Sequence, residues 1–170
     1  MRTLPFSSGR RRFLAAVAAL VLRQPARGAS GAPPTPGPRD VCPVCGMLVA
    51  KYPSWVAILE VEDGPVRFFD GAKDLFKYLF QLRKGGGSRP APRIARIWVT
   101  EYYGLTRVDA RSAFYVVGSD VLGPMGHELV PLASRDEAEE FLADHKGRRI
   151  LRFDDVKVDT PGKLDAKRFD

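Results

Sequence analysis

Two short segments hold almost all of the sulfur in this chain of 170 residues. Cysteine occurs only at Cys42 and Cys45, and methionine occurs, after the initiator, only at Met47 and Met125. One of the two histidines, His127, follows Met125 by two positions. Because thiolates and thioethers are the ligands that soft metal ions prefer, this distribution predicts a site for a single soft ion, with Cu(I) the best candidate.

The spacing within both segments suits ion binding. In Cys-Pro-Val-Cys-Gly-Met, two intervening residues let both cysteine sulfurs turn toward one point, and Gly46 lets the backbone curl around it. The second segment, Gly-Pro-Met-Gly-His, is a turn sequence that places Met125 on an exposed corner. The candidate metal ligands are therefore Cys42, Cys45, Met47, Met125 and His127.

Other interpretations of these residues stay open from the sequence. A disulfide across the Cys-x-x-Cys pair would be strained and reducible, which suits a thiol-disulfide oxidoreductase, although the preceding Pro-rich stretch lacks the strand and helix that such enzymes use. A zinc site with a structural or partner-binding role would need His127 and His145, which lack the usual zinc-ligand spacing. Met47 also suits a core position. Nucleophile-elbow and phosphate-loop motifs are absent, so we predict a protein that is not an enzyme.

The formal net charge of +7 is concentrated at the N-terminus. The first 28 residues contain six arginines and no acidic residue, and the remaining chain has 21 basic against 20 acidic residues. Three arginines at 10–12, an apolar run at 13–22 and small residues at 26–29 are typical of an export signal. Within it, Arg-Arg-x-Phe-Leu resembles the twin-arginine signal. We predict a cleaved signal over residues 1–29, a periplasmic or otherwise extracytoplasmic location, and no nucleic-acid partner.

The same segment argues against membrane attachment. An apolar run of ten residues is too short for a stable membrane span. Neither cysteine stands where a lipid is attached after a signal, so we expect a soluble product without a lipid anchor. Residues 30–40 are rich in proline and glycine and predict an extended tether.

Hydrophobic periodicity predicts an α+β fold made of a duplicated ββαβ unit, over residues 41–105 and 106–155. The first helix is expected to be capped by Asp70, and the second begins with a capping box, Ser134 with Glu137. Each unit is too small for a good core, so the two must pack together. Residues 156–170 are predicted to be a loose polar tail.

The motifs resemble those of the NosL family. The resemblance spans roughly residues 41–153 and is carried by three segments. These are Cys-Pro-Val-Cys-Gly-Met at 42–47, Phe-Phe-Asp at 68–70, and Val-Gly-Ser-Asp-Val-x-Gly-Pro-Met-Gly-His-Glu-Leu-Val-Pro at 117–131. It implies a periplasmic Cu(I)-binding accessory protein of denitrification, on a fold like that of organomercurial lyase. By this resemblance the ligands come from the cysteine segment and the Met125 loop, with His127 a weaker candidate.

The resemblance also implies a partner, an exported client that accepts copper. This client is nitrous-oxide reductase, or another copper enzyme, since many NosL proteins are lipoproteins and this chain lacks a cysteine to lipidate. The lyase-like fold raises a C–Hg lyase as a rival, which would need a carboxylate beside the thiols, with Asp70 the nearest. The sequence carries no signal for oligomeric state.

Overall fold

The computed structural model describes Met1, residues 31–85 and residues 92–169. The predicted export signal therefore lies, Met1 apart, outside the described residues, and so do residues 86–90 of the glycine-rich loop. From Ala32 onward the described residues belong to one structural unit. Among them, no helix combines the length and the apolar character needed to cross a membrane.

The first sheet has four strands in the order β2-β1-β3-β4, and all neighbours are antiparallel. The strands are β1 (Ala57–Val61), β2 (Arg67–Phe69), β3 (Ile94–Thr100) and β4 (Arg107–Asp109). β1 lies inside the sheet and begins with three fully buried apolar residues, which suits a strand covered on both faces. The helix α1 (Ala72–Lys84) follows β2 after a two-residue connection, so the end of β2 fixes where α1 begins.

The second sheet has three antiparallel strands in the order β8-β5-β9. They are β5 (Phe114–Val117), β8 (Val130–Leu132) and β9 (Arg149–Arg152). A short hairpin, β6 (Leu122–Gly123) with β7 (Gly126–His127), is inserted between β5 and β8 where the sequence indicated a turn. The fold is therefore mixed α and β with antiparallel sheets, which confirms the α+β prediction at that level.

Helix α2 (Arg135–Asp144) joins β8 to β9 and starts as predicted. The Ser134 hydroxyl accepts from the Glu137 backbone N–H, and the Glu137 carboxylate accepts from the Ser134 N–H. This reciprocal pairing satisfies two of the backbone donors that a helix start leaves unpaired. The capping-box prediction is confirmed.

One core is shared by both halves of the chain. Phe76 of α1 is 2% exposed, and its ring lies 5.4 Å edge-on from Tyr115 in β5 and 5.0 Å from Phe153. Tyr115 and Val117 belong to this core, whereas Val116 faces a second, smaller cluster beneath α2. The alternation follows from the two-residue period of a strand. The expectation that the halves must pack together is confirmed.

The C-terminal tail is not loose, which corrects the prediction for residues 156–170. Helix α3 (Thr160–Asp165) forms there, with Leu164 2% exposed in the shared core. The tail is polar in composition, but Val156 and Leu164 are buried in the core and Phe169 packs against it, so a few apolar residues anchor the segment.

Glu101 stabilises the turn after β3, and this gives a pH-dependent prediction. The carboxylate is 3% exposed and accepts hydrogen bonds from the backbone of Tyr103, Gly104 and Thr106 and from the Thr106 hydroxyl. Burial opposes ionisation, but these bonds together outweigh it and lower the pKa of Glu101. A lowered pKa means that the stabilisation is present above the unfolded-state pKa of about 4.3 and is lost as the pH falls through the folded-state value.

We therefore expect Glu101→Gln to lower the free energy of unfolding by about 1–3 kcal/mol at pH 7. The difference from wild type should shrink as the pH falls below the unfolded-state pKa of about 4.3, because the unfolded chain then binds a proton that the folded carboxylate does not. Urea unfolding at several pH values measures this. The control is Glu139→Gln, which removes an exposed ion pair with Arg135 and should change stability by less than about 1 kcal/mol. Equal effects of the two variants would contradict the assignment.

Candidate metal centre

The loop that carries the cysteines is closed by its own backbone. The Cys42 N–H donates to the Met47 carbonyl at 2.8 Å, and the Gly46 N–H donates to the Cys42 carbonyl at 2.8 Å. Gly46 has φ +79°, in the left-handed region that favours glycine. A bridge between Val41 and Leu48 fastens the base of the loop. The glycine after the second cysteine therefore turns the chain back, as the sequence predicted.

The two thiols are free and lie close together with two carboxylates. One ligand atom each from Cys42, Cys45, Asp70 and Asp74 can be chosen so that all four lie within 4.8 Å of one another. Cys42 is 1% exposed and Cys45 is half-buried, so the cluster is covered on one side and reachable from the other. The sequence prediction that both cysteine sulfurs turn toward one point is met by this geometry.

Each thiol donates to one carboxylate. The Cys42 Sγ lies 3.4 Å from Asp74 Oδ2, and the Cys45 Sγ lies 3.2 Å from Asp70 Oδ1. Burial, reinforced by neighbouring carboxylate charge, raises the pKa of Cys42 to about 11. Burial and the same kind of hydrogen bond raise the pKa of Cys45 further. Both thiols are therefore protonated at neutral pH without a metal ion.

Asp70 does not cap α1, which corrects the sequence prediction. The N-cap residue is Gly71, and it makes no side-chain cap hydrogen bond. The capping role is taken by Glu128, whose Oε1 accepts from the Lys73 N–H at 2.7 Å. A Cβ at position 71 would overlap the Glu128 carboxylate, so any larger residue there would displace the group that caps α1. Freed from capping, the Asp70 side chain points to Cys45.

Asp74 was missed by the sequence analysis, although a signal was present. Asp70 and Asp74 lie within five residues of each other around the start of α1, Asp70 just before the N-cap and Asp74 in the first turn, so both carboxylates are carried by the same end of the helix. Asp74 is 2% exposed, and its Oδ1 has no hydrogen-bond partner among the described residues, although it forms an ion pair with Lys77 at 3.3 Å. A carboxylate oxygen that lacks a hydrogen-bond partner and lies beside a thiol can bind a metal ion or accept the proton of that thiol.

The remaining predicted ligands lie on two different segments. Met47 is half-buried, and its carbonyl oxygen closes the cysteine loop. Met125 is 43% exposed in the β6–β7 hairpin, in agreement with the predicted exposed corner, and its carbonyl oxygen accepts from Lys73 Nζ at 2.7 Å. That contact places the hairpin against the first turn of α1.

His127 lies outside the four-donor cluster of the described residues. Its ring is 4.8 Å from that of Phe169, in an edge-on arrangement. The Nδ1 atom is buried and makes no hydrogen bond within the described part of the chain.

The donor set can hold a metal ion in two ways. Two thiolates alone give the low-coordinate, all-sulfur environment that a soft monovalent ion prefers. Two thiolates with two carboxylates give four mixed donors, which suit a harder divalent ion. In both cases the thiols must first lose their protons.

Residues 33–161, well over half of the chain, match the NosL family. The chain belongs to the NosL family. The copper-binding lipoprotein NosL of Stutzerimonas stutzeri is 28% identical over 127 residues, which cover 69% of this chain and 62% of that protein. This chain therefore aligns with less than two thirds of that NosL protein.

A solved structure shows the same fold. The copper chaperone NosL from Shewanella denitrificans matches with a TM-score of 0.60 and 24% identity, over 74% of this chain and 95% of that one. The NosL resemblance of the sequence motifs is thus confirmed, and the arrangement of sheets and helices is that of a NosL protein.

Proposed function

We propose that this chain binds one Cu(I) ion as cargo through Cys42 and Cys45 and passes it to an exported copper enzyme. The observation that carries the proposal is the pair of free, convergent thiols on a fastened loop. The name of the S. stutzeri relative as copper-binding and that of the S. denitrificans protein as a copper chaperone support it. On this proposal the protein carries metal and is not an enzyme.

The proposed donors differ in role. The Cys42 and Cys45 sulfurs bind the ion as thiolates. In the metal-free protein, Asp70 and Asp74 accept hydrogen bonds from the protonated thiols and so orient them. Met125 supplies a third, thioether donor from the β6–β7 hairpin, with Met47 or His127 completing or gating the site. Low coordination leaves the ion open to attack by an incoming ligand, so that copper moves by ligand exchange.

The proposal also covers the client and the place where copper is delivered. The client is nitrous-oxide reductase or a related enzyme, and the protein acts after export to the periplasm. The S. stutzeri relative is named a lipoprotein, which conflicts with the expectation of a product without a lipid anchor. We therefore propose export without the expectation that a lipid anchor is absent.

The two sheets are proposed to be duplicated ββαβ units, akin to organomercurial lyase. This is supported by their orders β2-β1-β3 and β8-β5-β9, each with a helix after its second strand.

A zinc-binding module is the second candidate, because the two carboxylates complete a set of four donors. Asp70 and Asp74 take the place of the histidines that this alternative first required. Competition of equal amounts of Zn(II) and Cu(I) for the reduced protein separates the two. Retention of Zn(II) in the presence of Cu(I) would favour this second candidate.

The cysteine cluster disfavours a thiol-disulfide oxidoreductase but contains the carboxylate that a C–Hg lyase would need. A thiol-disulfide oxidoreductase uses a thiol whose pKa is lowered, whereas both thiols here have raised pKa values. A C–Hg lyase would need a carboxylate beside its thiols, and Asp70 lies 3.2 Å from Cys45. Turnover of an organomercurial by the metal-free protein tests the lyase, and a metal carrier should give none.

Titration of the reduced protein with Cu(I) against a competing chelator tests the main proposal. We expect one ion per chain. Because the thiols are protonated in the free protein, binding should release at least one proton, so affinity should fall about tenfold or more for each unit that the pH is lowered between 8 and 6. Proton release is measured by calorimetry in buffers of different ionisation enthalpy. Absence of tight Cu(I) binding, or binding without proton release, would overturn the proposal.

A further inference from the structure

Lys73 is a fully buried lysine in the first turn of α1, with 0% exposure. Its Nζ lies 2.8 Å from Asp165 Oδ1 and donates to the Met125 carbonyl oxygen at 2.7 Å. A buried ammonium group is strongly unfavourable unless it is paired and hydrogen-bonded. The three segments that meet at this nitrogen are therefore held in one arrangement.

The backbone of the same residue holds the same hairpin region. The Lys73 N–H donates to the Glu128 carboxylate at 2.7 Å, and Glu128 packs over Gly71 with no room for a side chain between them. Lys73 thus contacts the segment from Met125 to Glu128 at two points, one through its side chain and one through its backbone.

The contacts continue from this lysine to the cysteines. Asp165 also pairs with Lys77 at 2.9 Å, and Lys77 lies 3.3 Å from Asp74 Oδ1. Asp74 accepts from Cys42 Sγ through its other oxygen. One chain of charged contacts therefore joins the Met125 carbonyl, the C-terminal helix and the thiol cluster.

We propose that Lys73 is a positioning residue of the metal centre. It fixes the hairpin that carries the Met125 thioether relative to the start of α1, where Asp70 precedes the helix and Asp74 lies in its first turn, and it does so without touching the ion. This inference rests on the proposed function, since it concerns the assembly of that same site.

A double-mutant cycle on Cu(I) affinity tests it, with Lys73→Leu, Met125→Leu and the double variant. Leucine is used at position 73 because it adds no sulfur that could bind Cu(I). We expect each single variant to weaken binding about 10- to 100-fold, the usual effect of removing a group that orients a metal ligand. In the Lys73→Leu background, Met125→Leu should add less than about a twofold loss, because the thioether is already out of place. A lysine that merely stabilised the fold would leave the Met125 effect intact, and the losses would multiply.

Thermal unfolding of the metal-free variants shows whether Lys73→Leu folds. If it does not, the same cycle is run with Asp165→Asn, which removes the partner of the ammonium at a site that is 45% exposed. Multiplying losses in the folded cycle would overturn the inference, as would wild-type affinity in Lys73→Leu or in Met125→Leu. Failure of the proposed function would be recognised separately, because the wild-type protein itself would then not bind Cu(I).

Discussion

Cys42→Ser and Cys45→Ser are each expected to lower Cu(I) affinity by more than about a hundredfold, since removal of an outer-shell partner alone costs about 10- to 100-fold. Serine keeps the shape of the side chain but replaces a soft sulfur by a hard oxygen, which Cu(I) does not prefer. Competition with a chelator measures the affinity. Lys51→Ala, an exposed change in the neighbouring turn, is the control and should bind as wild type does.

Loss of the fold must be separated from loss of a ligand, because Cys42 is almost fully buried. In Cys42→Ser the new hydroxyl still has the Asp74 carboxylate within reach as an acceptor, since the native thiol lies 3.4 Å from it. We therefore expect the metal-free variant to unfold at nearly the wild-type temperature, while the rise in unfolding temperature caused by Cu(I) disappears. Wild-type affinity in both cysteine variants would refute the site.

Phe76→Ala is expected to lower the free energy of unfolding by about 3–5 kcal/mol, the usual effect of removing a buried phenylalanine ring. The Phe76 ring extends from α1 and packs against Tyr115 and Phe153, so its removal opens a cavity between the two halves of the chain. Denaturant unfolding measures the change. Phe80→Ala is the matched control, because Phe80 lies on the same helix but is only partly buried.

The loss of unfolding free energy should differ between the two phenylalanine variants. We expect Phe80→Ala to lose less than half as much stability as Phe76→Ala, and both variants to unfold in one transition. Equal losses, or a two-step transition in wild type, would mean that the halves do not depend on the shared core that Phe76 occupies.

The sequence could predict the thiol half of the site because its signal is local. The spacing of Cys42 and Cys45 and the glycine after them determine a loop in which both sulfurs converge. The start of α2 was predictable for the same reason, since a capping box lies within four residues. In both cases the contacts that decide the structure are made by neighbours along the chain.

The carboxylate half could not be predicted, because it depends on a contact across 55 residues. Asp70 stands where a helix cap is expected, but Glu128 from another segment accepts from the first turn of α1, and Asp70 bonds Cys45 instead. A capping side chain from a distant segment leaves no pattern in the local sequence. The same limit applies to α3, whose formation depends on a core position for Leu164.

The contacts of Lys73 also bear on when the centre is completed during synthesis. The lysine is made before its partner Met125, which is 52 residues further along the chain, and well before Asp165 in the last turn of α3. A ribosome-bound chain can therefore expose both cysteines while the lysine still lacks its two partners. The Lys73 contacts with Met125 and Asp165 can form only when the C-terminal residues have emerged, so the proposed centre would be complete only in the finished polypeptide.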